Sequence, residues 1–167
     1  KHAVNQAVKA GFYIEKTTDF EPFWNQVLIP NLEKQHDAEP THSLEEITSL
    51  AKRFKYNIHQ FEVRDGQQQL LAGATIFETQ VVAHVQYISA TPEGKKQGAL
   101  DFLFQQLIEE QFADKCYFDF GTSNEQAGTK LNAGLQFWKE TFGARTRVQR
   151  TYRLQTKNSL KLENVVI

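Results

Sequence analysis

Apolar residues alternate with polar or small ones through the middle of the chain, and this two-residue period predicts β-strands. Ile58–Arg64 and Leu70–Glu78 are predicted to form a hairpin, because Asp65-Gly66 between them is a turn signal. Residues 81–89 follow a short connection and continue the sheet as the third strand of an antiparallel meander. A short additional strand is predicted earlier, at residues 12–15.

Apolar residues spaced three and four apart predict a helix over residues 19–32. Asp19 is the expected N-cap of this helix, and Pro30 is expected to kink it. Phe23 and Trp24 are expected in the core, since large aromatic side chains dominate cores.

A capping box marks the start of the next helix, predicted over residues 44–54. The Ser43 hydroxyl can accept from the amide of Glu46, whose carboxylate can reach back to the amide of Ser43. His42 precedes this cap, where it either meets a substrate at the helix N-terminus or lies exposed in a loop.

Residues 81–112 are organised as a strand, a glycine-containing turn at 91–99 and an amphipathic helix. Gly98 permits close backbone approach, and the helix N-terminus leaves amides free and partially positive. With Lys95 and Lys96 beside it, the turn can hold a phosphate. The same residues are also typical of an ordinary strand-to-helix turn with two solvated lysines, so both interpretations stay open.

The chain after this helix is predicted to rejoin the sheet. Residues 116–120 form a strand, which the intervening helix makes parallel to the strand at 81–89 through a right-handed crossover. A polar loop at 122–130, a helix at 131–142 and a closing strand at 144–155 follow.

The chain length fits a single domain over residues 1–167, with a helical segment (1–57), a core of sheet and helices (58–155) and a tail (156–167). A net charge of −1 provides no basic field, which disfavours nucleic acid as a partner. The absence of methionine suggests a fragment, for example the C-terminal part of a longer two-unit protein.

The single cysteine, Cys116, excludes an internal disulfide, and the five scattered histidines show no metal-ligand spacing. No metal site is therefore expected, and the setting is expected to be reducing and cytoplasmic. No apolar run approaches the about 18 residues that a membrane span needs, so no membrane partner is expected.

The order of these elements resembles the GNAT superfamily of acyl-coenzyme A-dependent acyltransferases, over roughly residues 58–155. The resemblance implies an α/β (α+β) fold, with a mixed, mostly antiparallel sheet, helices on both faces and central parallel strands that splay apart. In that superfamily a turn close to Pro-x-x-Arg/Gln-x-x-Gly-x-Gly/Ala binds the coenzyme A pyrophosphate. Pro92 and Gly98 match this turn and Lys95 occupies its Arg/Gln position, whereas Leu100 stands at its last small position.

The later segments are similar to GNAT-like domains related to the bacterial Fem peptidoglycan-bridge aminoacyltransferases. The similarity rests on Phe118-Asp119-Phe120-Gly121, on Gly134-Leu135 and on Phe137-Trp138-Lys139-Glu140-Thr141-Phe142-Gly143. Because Fem proteins carry two GNAT-like units, the resemblance also implies a second such domain or a homodimer as a candidate partner.

The resemblance implies that acetyl-coenzyme A, or another acyl-coenzyme A, is the co-substrate. It binds along the strand end and the following turn. The residues assigned to it are Ile88, Ser89, Ala90, Lys95, Lys96, Gln97, Gly98, Ala99 and Asn124.

Acyl transfer to an amine needs donors for the thioester carbonyl, a base for the amine, and a leaving thiolate that is protonated or tolerated. His84 is the first candidate base and Asp119 the alternative, although packing and backbone hydrogen bonding are competing structural roles for both. Lys139 stands where many family members have a tyrosine acid. It either stabilises negative charge or snorkels from a core helix.

Strand alternation places His84, Gln86 and Ile88 on one face and Val85, Tyr87 and Ser89 on the other. The expected acceptor-binding residues are His42, Gln86 and Ser123.

The favoured function is an acyl-coenzyme A-dependent N-acyltransferase, acetyl in the first instance, that acts on the amine of a small metabolite such as an amino sugar or amino acid. One alternative is a non-catalytic GNAT-like half of a Fem-type protein, acting as a binding module. The other is an aminoacyl-tRNA-dependent aminoacyltransferase, which the near-neutral charge argues against.

Overall fold

The computed structural model describes residues 2–36, 38–126, 128–148, 150 and 152–153. The helices are α1 (His2–Lys9), α2 (Glu21–Phe23), α3 (Ile29–His36), α4 (Leu44–Arg53), α5 (Pro92–Lys96), α6 (Ala99–Gln106) and α7 (Ala133–Thr141). π-Helical segments at Trp24–Leu28 and Leu107–Gln111 join α2 to α3 and extend α6. The strands are β1 (Tyr13–Thr17), β2 (Ile58–Arg64), β3 (Leu70–Glu78), β4 (Val82–Ala90), β5 (Tyr117–Asp119), β6 (Asn124–Glu125) and β7 (Lys130–Leu131).

Five strands form one sheet in the order β1-β2-β3-β4-β5, and neighbours are antiparallel except for the parallel pair β4–β5. The predicted hairpin, third strand and parallel strand are confirmed. Within the described residues, β4 has nine residues but pairs with β5 through Val82, Ala83 and His84 alone. The two central strands therefore diverge after His84, which confirms the predicted mixed sheet with splayed parallel strands.

One face of the sheet, which we call the Tyr87 face, is covered by the helical segment 21–36. Phe23 lies directly over Gly73, where a Cβ atom would come within 2.5 Å of the phenyl ring. Trp24 packs edge-on against Tyr87, with ring centroids 5.0 Å apart. Phe23 and Trp24 are fully buried, as predicted. These rings hold the helical segment against β3 and β4.

The helical segment 21–36 changes its winding just before Pro30. Over Trp24–Leu28 the hydrogen bonds span five residues, and the amide of Ile29 donates to the carbonyl of Trp24. Pro30 has no amide hydrogen to continue a regular ladder, so the irregularity expected at this proline takes the form of a π-helical turn.

The opposite face, which we call the Phe61 face, is covered by α6 and its π-helical extension. The rings of Phe61 and Phe112 lie 5.9 Å apart. Phe118 of β5 and Phe120 just after it both pack on Phe104 of α6, with centroids 5.9 and 5.3 Å away. Helices therefore cover both faces of the sheet, as predicted.

The predicted turn at 91–99 contains a five-residue helix, α5, which the sequence pattern does not indicate. Thr91 caps it, because its Oγ1 accepts from the amide of Gly94 (3.0 Å) and donates to the carbonyl of Leu71 (3.2 Å). Gly94 lies so close to the Leu71 carbonyl that a Cβ atom would overlap it. Gly98, with φ +73°, then starts α6. The turn is thus pinned to β3 at a fixed distance.

Several predictions differ from the structure after β5. The predicted loop at 122–130 contains the β6–β7 hairpin, and the helix predicted from residue 131 begins at Ala133. The closing strand at 144–155 is wrong for its described residues, 144–148, 150 and 152–153, which form no strand. Alternating polar and apolar residues indicate which side chains would share a face, but a strand also needs a neighbouring strand to hydrogen-bond with. The rest of that segment and the predicted tail, 156–167, lie outside the described residues.

Two compact units divide the chain, residues 1–132 and residues 133–167. The first contains the five-stranded sheet, the helices that cover it and the β6–β7 hairpin. The second contains α7. A single domain over 1–167 stays a prediction.

Gly94→Ala should destabilise the protein by about 1–3 kcal/mol, the usual cost of overpacking, because the added methyl group meets backbone that cannot move aside. Urea unfolding measures this loss. Gly66→Ala is the matched control, because Gly66 has open space around it and its replacement should change stability by less than about 0.5 kcal/mol. Equal stability of the two variants would contradict the tight packing of α5 on β3.

Candidate active site

β4 contains a bulge, which strand alternation in the sequence hides. Ile76 pairs with Val85 and Thr75 with Tyr87, so Gln86 is an extra residue in β4. Two residues of β4 oppose one of β3 at this point, and the alternation of side chains shifts by one position.

The predicted grouping of His84, Gln86 and Ile88 on one face is therefore wrong. Directly opposed residues of antiparallel strands share a face, and the pairing places His84 on the Tyr87 face. Beyond the bulge Tyr87 and Ser89 return to this face, while Ile88 lies on the Phe61 face. The extra residue thus brings His84 and Tyr87 to the same side of the sheet.

His84 and Asp119, the two candidate bases, are in direct contact. His84 Nδ1 lies 2.8 Å from Asp119 Oδ2, and the two residues form the last pair between β4 and β5. The amide of Gly121 donates to Asp119 Oδ1 at 2.8 Å, which orients the carboxylate. With Nδ1–H donating to Asp119, Nε2 is the basic nitrogen. The side chains are 36% and 52% exposed, so a substrate can reach them.

Residues 85–90 of β4 extend past this pair and have no strand partner on the β5 side among the described residues. Main-chain donors and acceptors on such an edge can pair with an extended ligand. Gly121 lies beside the start of this edge, where a Cβ atom would stand 3.6 Å from the Val85 carbonyl and 3.7 Å from Cε1 of His84. We call the unpaired edge of β4, which starts beside the His84 ring, the opening.

Ser89 and Ala90, assigned from sequence to the coenzyme, are buried and attached to α3. Asn31 Nδ2 donates to Ser89 Oγ and to the carbonyl of Ala90, both at 2.7 Å. The Ser89 side chain thus fastens the end of β4. Contact of Ile88, Ser89 and Ala90 with a coenzyme through their main chain stays a prediction.

The predicted phosphate-binding residues occupy the connection between β4 and α6: Lys95, Lys96, Gln97, Gly98 and Ala99. The two lysines are exposed in the last turn of α5, and Gly98 packs against Ala3 of α1. No side chain caps α6, so the first amides of this helix have no partner within it. An uncapped helix start beside two lysines suits a phosphate group. Leu100, in this first turn, is half-buried.

His42 contacts Tyr87, a residue that the sequence analysis did not select. His42 Nδ1 lies 2.6 Å from the Tyr87 hydroxyl, which also accepts from the main-chain amide of His42 at 3.0 Å. The His42 ring is centred 6.2 Å from that of Phe77, the strand partner of His84. His42 and His84 therefore lie over neighbouring positions of the Tyr87 face. The sequence does not show that His42 and His84 share a face, because this depends on the bulge, which is defined by the pairing of β4 with β3.

Ser123, Asn124 and Lys139 are not placed at this opening by any described contact. The carbonyl of Ser123 accepts from the amide of Asn132 at 2.9 Å, and the amide of Asn124 donates to Thr122 Oγ1 at 3.0 Å, both at the β6–β7 hairpin. Lys139 is buried in α7, which belongs to the second unit. Their assigned roles, and that of Gln86 in binding an acceptor, stay predictions.

A second histidine–carboxylate contact lies on the Phe61 face. His59 Nε2 is 2.7 Å from Glu78 Oε2, and Lys115 Nζ is 2.6 Å from Glu78 Oε1. Burial lowers the pKa of His59, although the hydrogen bond with Glu78 opposes this. Burial by itself would raise the pKa of Glu78, but hydrogen bonds from Lys115 and His59 outweigh it and lower the pKa. These contacts attach Lys115, just before β5, to Glu78 at the end of β3.

In the part of the chain that the structure describes, no group of three or more histidine, cysteine, aspartate and glutamate side chains could hold a metal ion. None of the described helices has the length and apolar character needed to cross a membrane.

Residues 8–139 match the sequence profile of the family described as the acetyltransferase (GNAT) domain. Comparison with curated protein sequences gives no significant match.

Several solved structures share the fold at low identity. A possible acetyltransferase from Clostridium difficile 630 is 11% identical with a TM-score of 0.60, over 86% of this chain and 97% of that one. An aminoglycoside 6'-N-acetyltransferase from Acinetobacter baumannii is 16% identical with a TM-score of 0.55, over 87% and 97%. FemX is 11% identical with a TM-score of 0.67, and the match covers 85% of this chain but 52% of FemX.

Glu78→Gln should lower the free energy of unfolding at neutral pH by about 1–3 kcal/mol, because Lys115 and His59 lose a charged acceptor. The folded protein holds the pKa of Glu78 below its ordinary value of 4.5. The carboxylate therefore stabilises the fold above that value, and its contribution disappears as the pH falls through the folded pKa. The free energies of unfolding of wild type and variant, measured with urea, should become equal in acid.

The matched control is Asp114→Asn. Asp114 Oδ2 lies 3.9 Å from Lys115 Nζ, but the Asp114 side chain is 78% exposed. Its replacement should therefore lower the free energy of unfolding by less than about 0.5 kcal/mol. A Glu78→Gln deficit that stays constant from neutral pH into acid would show that charge is not its cause.

Proposed function

The chain belongs to the acetyltransferase (GNAT) domain family, and from that membership we propose that it is an acyl-coenzyme A-dependent N-acyltransferase, acetyl in the first instance. Its acceptor is the amine of a small metabolite such as an amino sugar or amino acid. The observation that carries this proposal is the His84–Asp119 pair at the point where β4 and β5 diverge. The crevice at the ends of parallel strands is the usual ligand position in open α/β sheets.

The acyl-coenzyme A supplies the acyl group as a thioester, whose sulfur leaves with the bonding electrons. The chain offers donors that suit it. Lys95, Lys96 and the first amides of α6 would hold its phosphates, and the free edge of β4 would pair with its amide-containing arm.

His84 acts as the general base in this proposal. Its Nε2 takes a proton from the acceptor nitrogen as that nitrogen bonds to the acyl carbon. Asp119 accepts from Nδ1–H, which keeps the ring in the required tautomer and stabilises the imidazolium that forms. Main-chain amides on the free edge of β4 stabilise the negative charge that develops on the acyl oxygen.

The proposed setting is the reducing cytoplasm of a bacterial cell. The lone Cys116, which is free and exposed, agrees with such a compartment. The proposed partner is the small-molecule acceptor, and a second GNAT-like unit or a homodimer stays a candidate.

The likeness to FemX favours a second candidate function. The chain spans about half the length of FemX, so it is comparable to one part of a longer protein. In this alternative the chain is a non-catalytic binding module of a Fem-type protein, or it takes its acyl group from aminoacyl-tRNA. Direct assays with acyl-coenzyme A and charged tRNA separate these possibilities.

Coenzyme A should raise the melting temperature, since a ligand at 100 times its dissociation constant stabilises by about 2.7 kcal/mol. Lys95→Ala combined with Lys96→Ala should reduce this shift, because both ammonium groups stand beside the proposed phosphate site. Lys52→Ala combined with Arg53→Ala, at the end of α4, removes the same charge elsewhere and is the control. Equal melting-temperature shifts in the two double variants would show that coenzyme A does not bind at this turn.

His84→Gln should lower kcat by about 100-fold or more, the range expected for loss of a general base, and leave the coenzyme A melting shift in place. Asp119→Asn should also reduce kcat, because an amide cannot stabilise the imidazolium. Asp114→Asn makes the same chemical change at an exposed position and should keep full activity. Unchanged turnover in His84→Gln would remove this residue as the base.

A further inference from the structure

The contact between His42 and Tyr87 is not used by the mechanism described above. Tyr87 is buried, with 8% of its surface exposed, and its ring packs against Trp24. Its hydroxyl makes two contacts with His42, one to the main-chain amide and one to Nδ1. His42 is half-exposed and so connects this buried hydroxyl with the surface.

The Tyr87 hydroxyl can hold His42 in either protonation state. A phenol is both a donor and an acceptor, so it can donate to Nδ1 of a neutral ring or accept from Nδ1–H of an imidazolium. The second bond, from the His42 amide, keeps the hydroxyl oxygen in place in both cases. His42 Nε2 is then presented in one direction while the ring gains or loses a proton.

The two histidines of the Tyr87 face differ in their partners. His84 Nδ1 contacts the carboxylate of Asp119, which accepts Nδ1–H and leaves Nε2 as the nitrogen that can accept a proton. His42 Nδ1 contacts the Tyr87 hydroxyl, an uncharged group that can donate to or accept from Nδ1, so Nε2 can carry the hydrogen that is given up. The bulge at Gln86 is what places both histidines over one face.

We propose that His42 is the general acid of the acyl transfer and that Tyr87 is its positioning residue. This inference rests on the proposed function. As the bond between the acyl carbon and sulfur breaks, the electron pair leaves with sulfur. The Nε2–H bond of the His42 imidazolium breaks and its proton forms the S–H bond of the departing thiol. His42 becomes neutral, with Nδ1–H donating to the Tyr87 oxygen, and Nε2 then takes a proton from solvent.

The positioning part is tested on the protein alone by histidine side-chain ¹H–¹⁵N spectra of wild type and Tyr87→Phe. The Nδ1 signal of His42 should shift on loss of the hydroxyl, because its hydrogen-bond partner disappears. Tyr56→Phe is the matched control, since Tyr56 is 75% exposed and the described contacts of His42 are with Tyr87 and Phe77. An unchanged His42 signal in Tyr87→Phe would overturn the contact.

The acid role is tested with two truncated acetyl thioesters that differ in their leaving group, S-acetyl-N-acetylcysteamine and S-acetyl-4-nitrothiophenol. His42→Gln should lower kcat about 100-fold with the alkyl donor. With the aryl donor the defect should shrink to about threefold or less, because a stable thiolate departs without a proton. Tyr87→Phe should follow the same trend, whereas His84→Gln should be impaired with both donors.

A His42→Gln defect of the same size with both donors would overturn the acid role and leave the proposed function standing. A wild-type protein that acetylates no amine from either thioester or from acetyl-coenzyme A would overturn the proposed function and the acid role together. Melting temperatures of all variants separate these results from a loss of folding.

Discussion

The short pairing between β4 and β5 is the constraint on which the site depends. The two strands share three residue pairs and part immediately after His84 and Asp119, so the pair that ends the shared ladder also borders the opening. A longer β5 would have satisfied the edge of β4 with its own main chain and closed the gap. On the Phe61 face, Glu78 and Phe104 hold β5 in place, and past its end the Gly121 amide donates to the Asp119 carboxylate.

Helices pack on both faces of the central sheet, and the edge of β4 beyond His84 has no strand partner among the described residues. The helical segment 21–36 covers the Tyr87 face through Phe23 and Trp24, and α6 covers the Phe61 face. α5 is attached to β3, because the Thr91 hydroxyl donates to the Leu71 carbonyl and Gly94 packs directly on that carbonyl. The start of α6 and the end of β4 lie on either side of α5 in the same compact unit, residues 1–132.

Local signals were sufficient for part of this architecture. β2 and β3 could be predicted to the residue, because alternation and the intervening turn are written in adjacent positions. The capping box of Ser43 and Glu46 is equally local. The bulge at Gln86 could not be predicted, since it exists only in the register between β4 and β3. The helix α5 was missed for a similar reason, because Thr91 and Gly94 stabilise it through a carbonyl on a distant strand.

The inserted residue at Gln86 also governs how roles carry over between relatives. A gapless alignment with a homologue that lacks the insertion runs one position out of step along half of β4. Because side chains alternate between faces, every residue downstream would then be assigned to the opposite side of the sheet. Homology transfer across this strand is therefore meaningful only after the extra position has been aligned as a gap, with Tyr87 rather than Gln86 as the next residue on the same side as His84.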